Sequence, residues 1–478
     1  MEENSMEIDQ SITVYEAPVI ETEPLSIEPE ICSTPIEEPC YHYPALFTSK
    51  TLLELSNSSW SRSKGADDKV QPFLRGCKWS PDGTCCLSVV NNDGMHVTEL
   101  PRELYTGGVK SGRLIDVMDS VINVKECGMI YDFLWYPGMN SAVPETCCWL
   151  TTRQNGPIQM WDAFDGSLRC SYRGYNSVDE MENALSITFT TDGSRIIAGY
   201  KKNLKTFDVE RPGRDFIEHK ISCPASCLAV NSNLLAVGSW NTSITLYNVT
   251  EMGTYKSIGK MHGHGGGVTH MKFTPDGLKL VTGARKDHRL LVWDIRYYRR
   301  PLNILSRPNT TNQRIYFDIS PCGKYLVSGA TDGVVKVWDV DHVDWKNSLD
   351  SDNMDADNVT YKFPLHKDCC NSISIHPLRP ILATGSGQLH LEDPSFEYCS
   401  QEKQSTEDKN ESQHNNSNDE SWKWISNNES TEKETIEFTN NVSQNQAKND
   451  RKDVFDMKYS SYAENSLVFW WIGEVPDI

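Results

Sequence analysis

With 478 residues, 38% of them hydrophobic and 10% aromatic, the chain can bury a large core, as one big domain or two to three ordinary ones. No apolar run approaches the ~18 residues of a membrane span, and the acidic opening MEENSMEIDQ lacks the apolar stretch of a secretory signal. An intracellular protein outside the membrane is expected. The net charge of −20 would argue against nucleic acid if it were evenly spread, but residues 1–69 carry −10, 341–360 carry −5 and 391–460 carry −8, which leaves the rest at +3.

Along the chain, residues 1–43 are rich in Glu, Pro, Ser and Thr and read as a disordered acidic tail. A repeat of about 40–46 residues follows. Four units end in an apolar-aromatic-acid signature: IQMWDAF (Trp161, Asp162), LKTFDV (Phe207, Asp208), LLVWDIR (Trp293, Asp294) and VKVWDV (Trp338, Asp339). A degenerate fifth is ITLYNV, with Tyr247 and Asn248. Earlier in the units, KWSPDGTCCLSV, ITFTTDGSRIIAGY, MKFTPDGLKLVTGA and FDISPCGKYLVSGA each pair an aromatic strand with a second strand across a Gly-bearing turn. Gly83, Gly193, Gly277 and Gly323 supply the positive φ those turns need. Three hairpin-linked strands and a fourth leading onward make one propeller blade.

Seven blades are expected, over 73–100, 129–163, 184–209, 225–250, 262–296, 314–340 and a split seventh. The last begins at 366–387, is interrupted by a polar segment that reads as a disordered insertion (391–460), and resumes at SLVFWWI, 466–472. It is one strand short, and TSKTLLELSNSSW (48–60) should supply the missing strand, closing the ring and removing free edges. The expected division is tail 1–43, propeller 44–390, insertion 391–460 and final strand 461–478. Fifteen cysteines do not change this: Cys77, Cys85, Cys147, Cys170 and Cys227 lie in apolar strand patterns. Adjacent pairs such as Cys85-Cys86 point to opposite faces, and Cys223 with Cys227 lacks the second ligand pair of a zinc site, so no metal is expected.

The runs GCKWSPDG, IYDFLWY, NGPIQMWDAFDGSLR, SGARKDHRLLVWD, RPNTTNQRIYFDISPCGKYLVSG and HPLRPILATGSGQ, with the FWWIG ending, resemble the telomerase Cajal body protein family, WD-repeat subunits of small Cajal-body RNPs. The resemblance covers about two thirds of the chain, and RPGRD (211–215) and TTNQRIYFD (310–318) are not generic repeat features. It implies recognition of the CAB-box loop of box H/ACA guide RNAs and, in many organisms, of telomerase RNA. It also implies association with H/ACA RNP proteins, including the pseudouridine synthase subunit, and residence in nuclear Cajal bodies. Membrane and DNA are not expected partners.

Loops entering the innermost strands and loops joining second to third strands share one propeller face. There they gather Arg75, Arg153, Lys201, Lys202, His264, Arg285, Lys286, Arg289, Arg307, Arg314 and Lys367 against fewer acids (Asp93, Asp179, Glu180, Glu182, Asp287, Asp332 and Asp368), with Phe73, Tyr200, Trp240 and Tyr316 nearby. Guanidinium and ammonium groups suit phosphates, while aromatic and Arg planes suit unstacked bases. The RNA-contact candidates are Arg285, Lys286, Arg289, Arg314, Tyr316, Arg153, Lys201, Lys202, Arg75 and Phe73. His264 and Asp287 should form a buried network inside their blade, and Trp161, Trp293 and Trp338 should be core. No phosphate loop, HExxH or GxSxG occurs, so neither catalysis nor a cofactor is expected. The competing function is a protein-interaction propeller: VWDIR (292–296) fits the short Trp-Asp-x-Arg signature by which WD proteins dock to a cullin-ring ligase adaptor as substrate receptors.

Overall fold

The computed structural model describes residues 45–48, 52–59, 73–105, 118–125, 128–250, 253–340, 359–388 and 464–473. The expected tail (1–43) and insertion (391–460) lie outside them. The described residues build seven four-stranded antiparallel sheets, one short hairpin (Gly174–Tyr175 with Met181–Glu182), one α-helical turn, Arg102–Tyr105, and two 3-10 turns, Pro144–Thr146 and Ile295–Tyr297. Each sheet is a blade of a β-propeller. In blade 5, for example, Val268–Phe273, Lys279–Ala284, Arg289–Asp294 and Asn303–Ser306 pair in that order. In blades 1 to 6 the segment leading onward from the predicted unit thus becomes its fourth, outermost strand.

Second strands such as Cys85–Val90 and Ile381–Ser386 are buried at every position. A neighbouring blade covers each face, so these strands read as continuous apolar runs instead of alternating. Outer strands such as Ile217–Lys220 keep exposed positions. The hairpin turns hold Gly83, Gly193, Gly277 and Gly323 at φ of 70 to 76°, a region that costs other residues steric strain. Trp293 and Trp338 are almost wholly buried and Trp161 is 8% exposed.

Blade 7 closes the ring with chain from three places. Ser466–Trp471 pairs on one side with Ile381–Ser386 and on the other with Leu53–Ser59, Leu53 facing Trp471 and Ser59 facing Ser466. Neighbouring blades are joined by side chains of their first strands. Asp132 accepts from Ile187 N (3.2 Å), Asp318 from Ile375 N (2.8 Å) and Ser374 Oγ from Trp79 N (3.0 Å). Ser226 Oγ donates to Val268 O at 2.5 Å. Asn371 Nδ2 donates to Leu74 O at 2.6 Å, which ties the last blade to the first. The thiols of Cys85 and Cys227, pushed up to about 12 by burial, behave as core groups.

Candidate nucleic-acid interface

Two residues that sequence reading paired, His264 and Asp287, meet inside blade 5. His264 Nδ1 donates to Asp287 Oδ2 (3.0 Å), while Nε2 lies 2.8 Å from Thr282 Oγ1, which also accepts from Trp293 Nε1 (2.9 Å). Asp287 further accepts from Gly265 N (2.9 Å) and from Arg289 Nε (3.0 Å). Burial opposes its charge, but these donors hold its carboxyl well below the usual range. The network spans the turn, the second strand and the Trp of the third strand, so it fixes the loop that carries Arg285 and Lys286.

Blade 7 repeats this device with a residue that the sequence did not reveal. His366 Nε2 lies 2.7 Å from Thr384 Oγ1, which accepts from Trp470 Nε1 at 2.8 Å. The acid comes from beyond the insertion: Glu464 accepts from His366 Nδ1 (2.6 Å), Lys367 N (2.6 Å) and Ser466 Oγ (2.7 Å). No local turn motif points to it, because 98 residues separate the partners.

The face where second-to-third-strand loops emerge opens into two adjoining cavities of about 250 and 90 Å³. Arg75, Tyr131, Gln313 and Arg314 line both. The larger adds Trp240, Arg285 and Asn312, and the smaller adds Phe73, Phe133 and Tyr316. Three guanidinium groups from blades 1, 5 and 6 therefore converge on one opening.

Each of the three is held differently. Arg75 NH1 donates to Ile130 O (2.7 Å). Arg314 is clamped at the floor: NH1 donates to Asp132 Oδ1 (2.9 Å) and the Tyr316 hydroxyl (3.2 Å), and NH2 to Ser226 O (3.2 Å). Burial disfavours its charge, but Tyr316 and Asp132 raise its pKa above the ordinary value. Arg285 lies 5.8 Å from the Trp240 ring centroid, and its buried Nε has no partner among the described residues. Burial, with Arg314 nearby, lowers its pKa, so a bound anion would relieve both effects. Trp240 is 44% exposed and offers a ring face beside it.

Behind the opening, further ionisable groups stand on the first strands. Lys78 Nζ donates to Phe133 O (2.7 Å) and lies over the Phe133 and Tyr316 rings, and Lys272 pairs with Asp318. His270 donates through Nε2 to Phe317 O (3.2 Å), and burial with Lys78, Arg314 and Lys272 around it pushes its pKa well down. Arg314 and Lys272 are thus neutralised by Asp132 and Asp318, while Lys78 rests on a carbonyl and two rings.

Several expected contacts lie elsewhere. Tyr316 is 5% exposed, its ring packed against Phe133 and His270, so no base can stack there; it serves as the hydroxyl that holds Arg314. Arg307 is wholly buried, with NH1 on Ser328 Oγ (2.7 Å), and cannot reach a ligand. Burial lowers its pKa to about 10. Arg289 is committed to Asp287. Lys286 is exposed on the turn at φ 49°, its N–H on Thr311 O (3.1 Å), outside the cavity lining. Exposed Lys201 and Lys202, and Arg153 at the end of Cys148–Arg153, also lie outside that lining. Tyr131, Asn312 and Gln313 were missed. Tyr131 reads as one more alternating strand aromatic, and the two amides lie in a loop whose path depends on buried Arg307 and on Asn309, whose Nδ2 donates to Ala284 O at 2.8 Å.

Comparison with known proteins agrees with this architecture. The family model for the WD domain, G-beta repeat, matches residues 255–294 and 310–339. The chain is 43% identical over 351 residues to the Telomerase Cajal body protein 1 homolog of Drosophila melanogaster, covering 72% of this chain and 61% of that protein. It is 39% identical over 362 residues to Telomerase Cajal body protein 1 of Homo sapiens (73% and 62% covered) and 40% over 350 residues to that of Mus musculus (71% and 63%). The chain thus spans about three fifths of these relatives' length. By blade architecture and by sequence, this ring is a WD-repeat propeller of the telomerase Cajal body protein family.

Proposed function

We propose that the propeller is a non-catalytic scaffold that binds small Cajal-body guide RNAs of the box H/ACA type at the opening around Arg75, Arg285 and Arg314. It takes an unpaired loop, the CAB box, and accompanies the particle to nuclear Cajal bodies. Telomerase RNA is a further ligand of the same kind, and H/ACA RNP proteins, including the pseudouridine synthase subunit, are partners through the shared RNA. The observation that carries this reading is the convergence of three guanidinium groups with the Trp240 and Tyr131 rings and two amides, Asn312 and Gln313, at one opening. Cations neutralise phosphates, exposed rings stack on bases, and amides read base edges. The names of the relatives point the same way.

The test is binding of a box H/ACA RNA, with its loop intact or substituted, to the wild type and to Arg285→Glu/Lys286→Glu across a salt series. The double variant should lose the intact RNA while melting normally, since Lys286 is exposed and the half-buried Arg285 holds no partner on its buried Nε whose loss would cost stability. Removing the Arg285 phosphate contact should flatten the log–log salt slope by roughly 0.7–0.9. Charge reversal at Lys324, exposed on a hairpin turn of the opposite face, should leave binding unchanged. Equal responses on both faces, or equal binding of the substituted loop, would mean non-specific electrostatics.

A further inference from the structure

The opposite end of blade 5 carries a second cationic surface that the RNA reading does not use. Lys279 pairs with Asp294 at that end and Gly283 with Leu290 near the other, so the turn after Asp294 lies roughly 17 Å from Arg285 along the strands. This turn, RYYRR (296–300), exposes Arg296, Tyr297, Arg299 and Arg300. It does not flop. Asp294 accepts from Arg296 N (2.9 Å) and takes its guanidinium in a two-point pair (3.0 and 2.7 Å). Tyr298 anchors the turn to blade 4, with its hydroxyl on Ile258 O (3.3 Å) and its ring over Gly259, where even a Cβ would come within 2.5 Å of it.

The result is a rigid, charged and partly apolar platform. Tyr297 is 76% exposed, and Leu278 and Ile258 are each 43% exposed. Ile295 N donates to Leu278 O (3.0 Å), which places that side chain beside the turn. Exposed Lys256 and Lys260 flank the Tyr298 contact on blade 4. Arg299 and Arg300 make no hydrogen bond or ion pair among the described residues. The nearby acids, Asp294 and Asp276, are already engaged, with Arg296 and with Leu278 N.

We propose that this surface docks an extended acidic peptide segment of a protein partner, one that alternates carboxylates with apolar side chains. Two free guanidinium forks bind carboxylates in two-point pairs, and the Tyr297 ring with Leu278 and Ile258 receives the apolar residues. Lying on the face opposite the RNA opening, it can be occupied at the same time, so the ring links RNA to protein.

The experiment uses the full chain and a labelled peptide alternating glutamate with leucine, followed by fluorescence anisotropy, with a lysine–leucine peptide as control. The wild type should bind the glutamate peptide only. Arg299→Glu/Arg300→Glu should weaken it by on the order of tenfold or more, and Tyr297→Ala by several-fold, with melting unchanged. Guide-RNA affinity should stay as in the wild type for both variants. Unchanged peptide binding in the double variant overturns the proposal. So does a fall in RNA affinity matching that of Arg285→Glu/Lys286→Glu, which would make this surface part of the RNA interface.

Discussion

Replacing Glu464 by Gln should loosen the seventh blade, because this carboxylate is the pin that ties together chain on either side of the insertion. It accepts three hydrogen bonds within 2.7 Å, from His366, Lys367 N and Ser466. The amide keeps one accepting oxygen and turns an NH₂ toward groups that are themselves donors. Burial disfavours the Glu464 anion, but His366, Ser466 and Lys367 N hold its pKa at about 2 against the ordinary 4.5. At 1.36 kcal/mol per pKa unit, that preference is worth about 3 kcal/mol. Losing one or two charge-assisted hydrogen bonds gives a similar figure, about 2–3 kcal/mol. Because the folded pKa lies below the unfolded one, this stabilisation is complete above pH 4.5 and vanishes as pH falls toward about 2. Urea unfolding followed by tryptophan fluorescence, with Trp470 three hydrogen bonds away in the network, measures it. The gap between wild type and variant should be full at pH 7 and should close between pH 4.5 and 2. A gap that is absent at pH 7, or that persists unchanged at low pH, refutes the role of the carboxylate.

Arg314→Ala should destabilise by about 3–5 kcal/mol, since it leaves Asp132 buried without its cation, whereas Tyr316→Phe removes one hydroxyl and should cost about 1 kcal/mol; equal melting shifts would show that the floor of the opening is not held this way. Deleting residues 401–450 should leave the melt unchanged, because Ser386 and Ser466 already face each other and loop-closure entropy grows slowly with length; a lost cooperative transition would contradict this. Removing residues 1–60 should cause aggregation while removing 1–40 should not, because only the first takes Leu53–Ser59 from the edge of Ser466–Trp471; equal solubility of the two truncations, measured by light scattering, would reject closure by that strand.

The blade count and the closing strand are legible in the sequence because they rest on local chemistry. A Gly at positive φ, an alternating or wholly apolar strand and a terminal Trp-Asp each act within a few residues, and a ring that lacks one strand has a single apolar segment left to supply it. The buried partnership of His264 with Asp287 is legible for the same reason, since both belong to one blade. What the opening looks like is not. Arg75, Arg285 and Arg314 are 29 to 239 residues apart in the sequence, and only ring closure decides that they converge while Lys201 and Lys202 do not. Arg307 and Tyr316 carry the same residue types as surface contacts, yet packing turns them inward: Arg307, in the loop after Asn303–Ser306, reaches Ser328 Oγ, and Tyr316, just before Phe317–Ile319, packs on Phe133 and His270. Glu464 is the extreme case: a carboxylate after a long polar stretch becomes the acid of the blade 7 network because its strand returns beside Ile381–Ser386, and no local pattern can state where a distant strand returns.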